Sequence, residues 1–370
     1  MTERPRVLLL IPHLGGGGAE RVTELLARSL SSEKYEVHLG IVTGDSAREP
    51  LPPKVGVHAL GARRVRAAAW RLLRLIRRLK PDVILSGMAH LNFLVLLLRP
   101  FYPAKARILV RQNGTVSSLL ASGELPTYTR LLYRLLYPRA DRVICQSPAM
   151  ADDLTRELGI AEERLAVLPN PLDANAIREA GEAAPSLWAG PGPHLLAVGR
   201  LTPAKGFDLL LQALASVQMQ FPDADLVIAG AGVEETALKF LCRELGLEEA
   251  VHLVGHIDCP WAHFPGATVF ALSSRHEGLP NALLEAAAGG LPIVALPASG
   301  GVAGLLRAQP GVWLADEISA EALASSLCSA IKVLRPGERF HHAFIDEFRI
   351  QCAIPAYESL LDAVLQEANQ

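Results

Sequence analysis

The sequence predicts an α/β protein made of two doubly wound parallel-sheet domains, and three observations carry that prediction. Short apolar runs alternate with amphipathic segments through both halves, the pattern of strands joined by crossover helices. A length of 370 residues is more than one hydrophobic core usually organises. Between the halves lies Leu168-Pro169-Asn170-Pro171-Leu172, which leads into an Ala-, Gly- and Pro-rich, strand-poor stretch at 174–193. The expected division is 1–170 and 171–354, with a last helix at 355–370 returning to the first domain and Pro169 to Pro171 as the hinge.

In the first half, strands are expected at 7–11, 37–42, 83–85, 108–111 and 143–146; the second half places them at 195–199, 226–230, 252–254, 269–272, 293–296 and 312–314. Helical periodicity fills the intervals, beginning with 19–30 after the glycine run Gly15-Gly16-Gly17-Gly18. That run lets backbone approach a ligand, and the helix start behind it favours an anion. It is a weak dinucleotide fingerprint, because the second strand closes on Val42-Thr43-Gly44-Asp45 with no acidic residue at its end, and a structural tight turn fits it too.

Composition bounds the function. The formal charge of −2 and mean hydropathy of +0.24 are those of a globular chain. Residues 1–170 carry 25 basic against 15 acidic side chains and the remainder 11 against 23, so a basic half adjoins an acidic one. Five scattered cysteines without a CxxC pair read as small apolar residues of a reducing cytosol. No run approaches the roughly 18 apolar residues of a spanning helix, and the N-terminal apolar run is too short for a signal peptide. From Arg63 to Lys80 (RRVRAAAWRLLRLIRRLK) there are eight basic and no acidic side chains, with an apolar stripe through Val65, Ala69, Leu72, Ile76 and Leu79 and Trp70 on its flank. This fits a segment lying on anionic lipid, or a core-packed helix with a solvated basic face. The clusters 91–111 and 128–139, with Tyr128, Tyr133 and Tyr137, favour the membrane reading. Nucleic acid is disfavoured, since no nucleic-acid module is present and aromatics are sparse.

In open parallel sheets, ligands bind outside the carboxyl ends of strands. Two loops of the second half lie there. Gly199-Arg200-Leu201-Thr202-Pro203-Ala204-Lys205-Gly206 sets two cations above a helix start, a pyrophosphate clamp that is not a Walker loop. Ser273 to Pro292 (SSRHEGLPNALLEAAAGGLP) hands a strand to an apolar helix, with Glu277 on the loop and Glu285 inside the helix, on the face of Asn281. About 12 Å separates the two carboxylates by helical rise. That is too far for an acid/base pair and suits two ends of one polyhydroxyl ligand, although a solvated loop glutamate and an ordinary helix-face glutamate would give the same letters.

Arg200, Lys205, Glu277 and Glu285, in that order, together with Gly17-Gly18-Ala19-Glu20, Pro169-Asn170-Pro171 and Ile228-Ala229-Gly230-Ala231-Gly232, resemble the retaining GT-B glycosyltransferases of the large family with the Glu-x7-Glu motif, the glycosyltransferase family 4 type, over nearly the whole chain. The resemblance implies two Rossmann-like domains facing across a cleft, the first for the acceptor and the second for a nucleotide sugar, UDP-linked by preference. It implies that Arg200 and Lys205 hold the diphosphate beside Gly199, that Glu285 takes the ribose, and that Glu277 with Gly278, Leu279, Pro280 and Asn281 takes the transferred hexose or N-acetylhexosamine. Gly17 and Gly18 would approach the diphosphate from the first domain. Where the family often carries a histidine, this chain reads Arg111-Gln112-Asn113, and Gln112 takes that place; His13, Arg111 and Asn113 are further sugar or acceptor candidates, and His276 beside Glu277 reads as structural. No metal or other cofactor is expected, since Asp223-Ala224-Asp225 precedes a strand instead of following one. The implied acceptor is a lipid-linked or cell-envelope glycan, met at the inner face of the cell membrane by a cytoplasmic, peripheral enzyme. An epimerase of the same shape, a nicotinamide dehydrogenase and a silent nucleotide-sugar-binding protein remain as alternatives.

Overall fold

The structure, a computed structural model, describes residues 4–15, 17–43, 51–121, 126, 128–180, 187–188 and 190–368. Gly16, Gly44 and Asp45, and part of the 174–193 stretch, lie outside them. The chain folds as two units, Met1–Leu172 with Phe348–Gln370, and Asp173–Glu347.

The first unit holds a seven-stranded sheet of β1 (Arg6–Ile11), β2 (Glu36–Ile41), β3 (Gly56–Ala59), β4 (Val83–Gly87), β5 (Arg107–Arg111), β6 (Arg142–Cys145) and β7 (Leu165–Val167). Every pairing is parallel, in the order β3-β2-β1-β4-β5-β6-β7. β1 and β4 carry apolar runs, Val7 to Ile11 and Val83 to Leu85, because helices cover both faces of the sheet. Sequence periodicity misses β3 and β7, the two edges. β3 alternates between half-buried and exposed residues, and β7 is an apolar run of only three residues, none of them buried, too short to stand out as a strand.

β3 brings His58 against His38. Nδ1 of His38 lies 3.1 Å from Nε2 of His58, and its Nε2 lies 3.0 Å from Glu36 Oε1, a carboxylate also bonded by Arg6. Burial, then the facing charges of His38 and Arg78, hold the His58 imidazole below its usual range. The folded unit therefore binds fewer protons here than the unfolded chain. The stabilisation is complete above the unfolded value, about 6.5, and is lost as pH falls through it toward the folded pKa. The melting temperature is expected to drop on acidification from neutrality, and His58→Gln to flatten that dependence; an unchanged slope in the variant would remove His58 as its cause.

The second unit holds a six-stranded sheet of β8 (His194–Val198), β9 (Asp225–Ala229), β10 (Val251–Gly255), β11 (Val269–Leu272), β12 (Ile293–Ala295) and β13 (Val312–Leu314). Its order, β10-β9-β8-β11-β12-β13, is again parallel throughout. In each sheet the order of strand addition reverses once, between β1 and β4 and between β8 and β11. A crevice opens at such a reversal because the flanking loops run to opposite faces.

Helix Ile350–Ala368 packs in the first unit, burying Ile354, Tyr357, Leu361 and Val364 with Val22 and Leu26. Glu358 receives Ser31 N and Lys34 Nζ, each at 2.9 Å. The helix begins five residues before the expected Pro355, and the chain re-enters the first unit at Phe348, not at 355. Proline removes one backbone bond inside the helix, but the apolar stripe continues on both sides of it and packing prevails. Leu172 bonds Phe348 O and Ile350 N, pairing the two segments that leave and re-enter this unit.

The basic segment admits two readings, and its apolar stripe follows the core-packed one. It forms a turn at Val65–Ala68 and the helix Ala69–Leu79. Its apolar stripe faces inward: Ala68, Leu72, Leu75 and Ile76 are core, with Val65, Ala69 and Leu79 packed against them. A helix of this length has one apolar face, and the sheet takes it. Outside remain the exposed basic side chains and Trp70, 69% exposed. Tyr133 and Tyr137 are likewise core, and only Tyr128 of the three tyrosines is exposed. On helix Thr129–Leu136, Tyr128, Leu131 and Leu135 form an outward apolar stripe beside Arg130 and Arg134.

Candidate functional site

The loops that follow β8 and β11 flank the reversal of the second sheet, and they carry Arg200, Lys205 and Glu277. After β8, Gly199 N bonds Ala229 O and Leu201 N bonds Ala231 O, so the loop runs beside the end of β9. Two glycines permit this approach: a Cβ on Gly230 would stand 1.8 Å from Gly199 O, and one on Gly232 2.3 Å from Leu201 O. The short turn Pro203–Lys205 then ends at Gly206, whose φ of 62° caps helix Phe207–Gln218.

Hydrogen bonds, an ion pair and a close backbone approach bind this turn and the helix behind it to the loop after β11. Ser273 Oγ donates to Lys205 O at 2.9 Å, and Arg275 N to Ala204 O at 2.9 Å, with His276 N sharing that carbonyl at 3.4 Å. Arg275 also reaches Pro203 O at 3.0 Å and grips Asp208 with bonds of 2.7 and 2.6 Å. That grip, chiefly through its hydrogen bonds, holds the Asp208 carboxyl below its ordinary range. Gly206 packs against Ser273 O, and Lys205 Nζ pairs with Glu277 Oε1. Ser274 Oγ donates to the same oxygen at 2.6 Å. A cation and a carboxylate from two loops are thus fixed on one rigid junction.

A third loop, after β12, backs Glu277: Gly300, at φ 92°, comes so close that a Cβ would lie 1.8 Å from Glu277 O. Ser299 pairs with His276, which gives that histidine a backbone role. Gly278, Leu279 and Pro280 are buried as they enter helix Asn281–Ala288, with Pro280 at its N-cap and Gly289 at its end. Glu285 is 2% exposed, within a helix buried from Leu283 to Ala288. Arg200 differs. It is exposed, and among the described residues its guanidinium makes no hydrogen bond or ion pair. Asp225 begins β9 at the sheet's amino end and accepts a 2.7 Å bond from His194 Nδ1, remote in the fold from these loops.

In the first unit, Gly17 precedes helix Gly18–Ser29, and His13 Nδ1 lies 3.4 Å from buried Glu20 while Gly15 N reaches it at 3.2 Å. Arg111 and Gln112, expected to face a ligand, are 3% and 2% exposed. Gln112 is engaged by Gly114 O at 2.8 Å and by Tyr137 OH at 2.6 Å; Arg111 holds Asn113 Oδ1 at 2.6 Å and Asn170 Oδ1. Asn113 and His13 are the exposed members of that group. Sequence reasoning left Ser273, Ser274, Arg275, Asp208 and Gly300 unassigned. Ser273 and Arg275 stand close before Glu277, but their partners lie some seventy residues earlier, a pairing no local pattern announces.

Two family profiles divide the chain: Glycosyltransferase Family 4 matches residues 16–176 and Glycosyl transferases group 1 matches 182–338. A Campylobacter jejuni protein, N-acetylgalactosamine-N,N'-diacetylbacillosaminyl-diphospho-undecaprenol 4-alpha-N-acetylgalactosaminyltransferase, is 31% identical over 76% of this chain and 77% of its own length. The chain belongs to the group 1, family 4 glycosyltransferases. The lipopolysaccharide core biosynthesis glycosyltransferase LpsE of Rhizobium meliloti is 27% identical over 94% of this chain and 97% of its own. Anabaena HepE, solved with UDP and glucose, superposes with a TM-score of 0.81 over 97% of this chain and 100% of that one, at 18% identity. Sucrose-phosphate synthase of Thermosynechococcus elongatus does so at 0.73 over 99% and 98%, again at 18% identity. These two likenesses show the fold, so the two parallel-sheet Rossmann-like units of this glycosyltransferase are those of the GT-B class.

Proposed function

We propose that this glycosyltransferase moves a hexose or N-acetylhexosamine from a UDP-sugar to a lipid-linked or cell-envelope glycan, retaining the anomeric configuration. The observation that carries the reading is the junction at the β8/β11 reversal, where Lys205 and Glu277 meet. Two relatives support the acceptor class: one is named for a diphospho-undecaprenol-linked sugar, another for lipopolysaccharide core biosynthesis. Arg200 and Lys205 hold the diphosphate above the start of helix Phe207–Gln218, Glu277 with Gly278, Leu279, Pro280 and Asn281 takes the sugar, and Glu285 takes the ribose. As the bond from the anomeric carbon to phosphate oxygen breaks, these cations neutralise the departing charge without a metal ion. The acceptor oxygen bonds to the same face of that carbon, and its proton passes to the departing phosphate oxygen. Proton NMR of the product from an α-linked donor is expected to show an α linkage, with the rate unchanged by chelator; a β product would end the retention claim.

We further propose that the first unit rests on anionic lipid through the exposed basic side chains from Arg63 to Lys80, with Trp70, and through the outward stripe of Tyr128, Leu131 and Leu135. No helix among the described residues is long and apolar enough to cross a membrane, so attachment of this kind is peripheral. In vesicle flotation the protein is expected to rise with anionic vesicles and to stay down with neutral ones. Leu131→Ser with Leu135→Ser should weaken flotation severalfold; negligible binding to both vesicle types would refute the surface.

A further inference from the structure

The Lys205 ammonium, assigned above to the donor's phosphates, is already engaged. It pairs with Glu277 Oε1, and the two side chains are only 21% and 10% exposed. The same oxygen takes the hydrogen of Ser274 Oγ at 2.6 Å, and Ser274 itself is 1% exposed. Among the described residues, the other carboxylate oxygen, Oε2, accepts no hydrogen bond. One oxygen thus has two donors and the other none. A diphosphate must compete for the ammonium with a resident carboxylate, and a sugar hydroxyl must compete for Oε1 with the ammonium.

We propose that Glu277 is the counter-ion that Lys205 gives up on donor binding. The diphosphate draws the ammonium away, and the released carboxylate, still anchored by Ser274, accepts the sugar's hydroxyls. Phosphate and sugar are then recognised by one coupled pair and not by two independent contacts. A nucleoside diphosphate without a sugar breaks the ion pair and gains nothing in return at the carboxylate; a nucleotide sugar replaces the lost bond. This device makes the site prefer the intact donor to the spent nucleotide, which favours product release. It rests on the donor-site reading above.

Titration calorimetry with UDP, a UDP-sugar and pyrophosphate tests the exchange. Glu277→Gln is expected to bind UDP and pyrophosphate about tenfold more tightly than wild type, a typical size for coupling between sites. Its preference for UDP-sugar over UDP should shrink by a similar factor. Glu277→Asp, which keeps the charge, should bind UDP no more tightly than wild type does, and should bind it more weakly than Glu277→Gln. In a Lys205→Met background the gain from Glu277→Gln should vanish. A gain that persists there is a general charge effect and overturns the exchange, as does an unchanged or weakened UDP affinity in Glu277→Gln. Pyrophosphate separates this claim from the donor reading. A Glu277→Gln gain without any nucleotide-sugar binding overturns the donor reading alone, whereas nucleotide-sugar binding without that gain overturns the exchange alone.

Discussion

Lys205→Ala is expected to lower kcat/KM for sugar transfer by roughly a hundred- to a thousandfold, the usual effect of removing one pre-placed group that stabilises transition-state charge. The fold should survive, because the turn is held by backbone atoms that alanine keeps. Lys205 N still reaches Thr202 O at 3.0 Å, and Lys205 O still receives Ser273 Oγ at 2.9 Å. Initial rates at several donor concentrations, with a melting curve for each protein, would check this. Wild-type turnover in the variant would show that the departing diphosphate does not need the ammonium.

Gly206→Ala is the second substitution with a large expected effect, and it acts through geometry instead of charge. The residue sits at φ 62°, and an added Cβ would fall 2.1 Å from Ser273 O. Left-handed backbone costs an alanine about 1–2 kcal/mol by itself. The overlap with a backbone oxygen must be relieved by moving the two loops apart, which separates Lys205 from Glu277. Misplacement of about 1 Å at a reacting centre costs on the order of a hundredfold in rate. Gly246→Ala is the control: its φ is 69°, yet nothing lies within 4 Å of its Cβ position. That variant should lose only the conformational part of the stability and keep its turnover. Equal rates for the two variants would mean that the junction is not what holds the site.

Much of this fold is legible in the letters, for a physical reason. Strands such as β1 and β4 are buried on both faces and carry the apolar runs Val7 to Ile11 and Val83 to Leu85, while edge strand β3 alternates and edge strand β7 has only three residues. The candidate site is legible where chemistry needs a residue type in a fixed place, as with Lys205 before Gly206 or Glu277 before Gly278. It is illegible where the chain closes on itself over distance. Arg275 clasps Asp208, and Ser273 holds Lys205 O, across sixty-odd residues. The segment from Arg63 to Lys80 shows why two readings stay open in the letters. An amphipathic pattern states that one face is buried but not by what, and here the sheet of its own unit buries it.

The most direct measurement combines a UDP-sugar labelled in its sugar with lipid-linked glycan acceptor and follows both products. One UDP released for each label entering the lipid-extractable glycan, with no free labelled sugar, is the predicted result. UDP release accompanied only by free or epimerised sugar, and no label in the glycan whichever UDP-sugar is supplied, would contradict it.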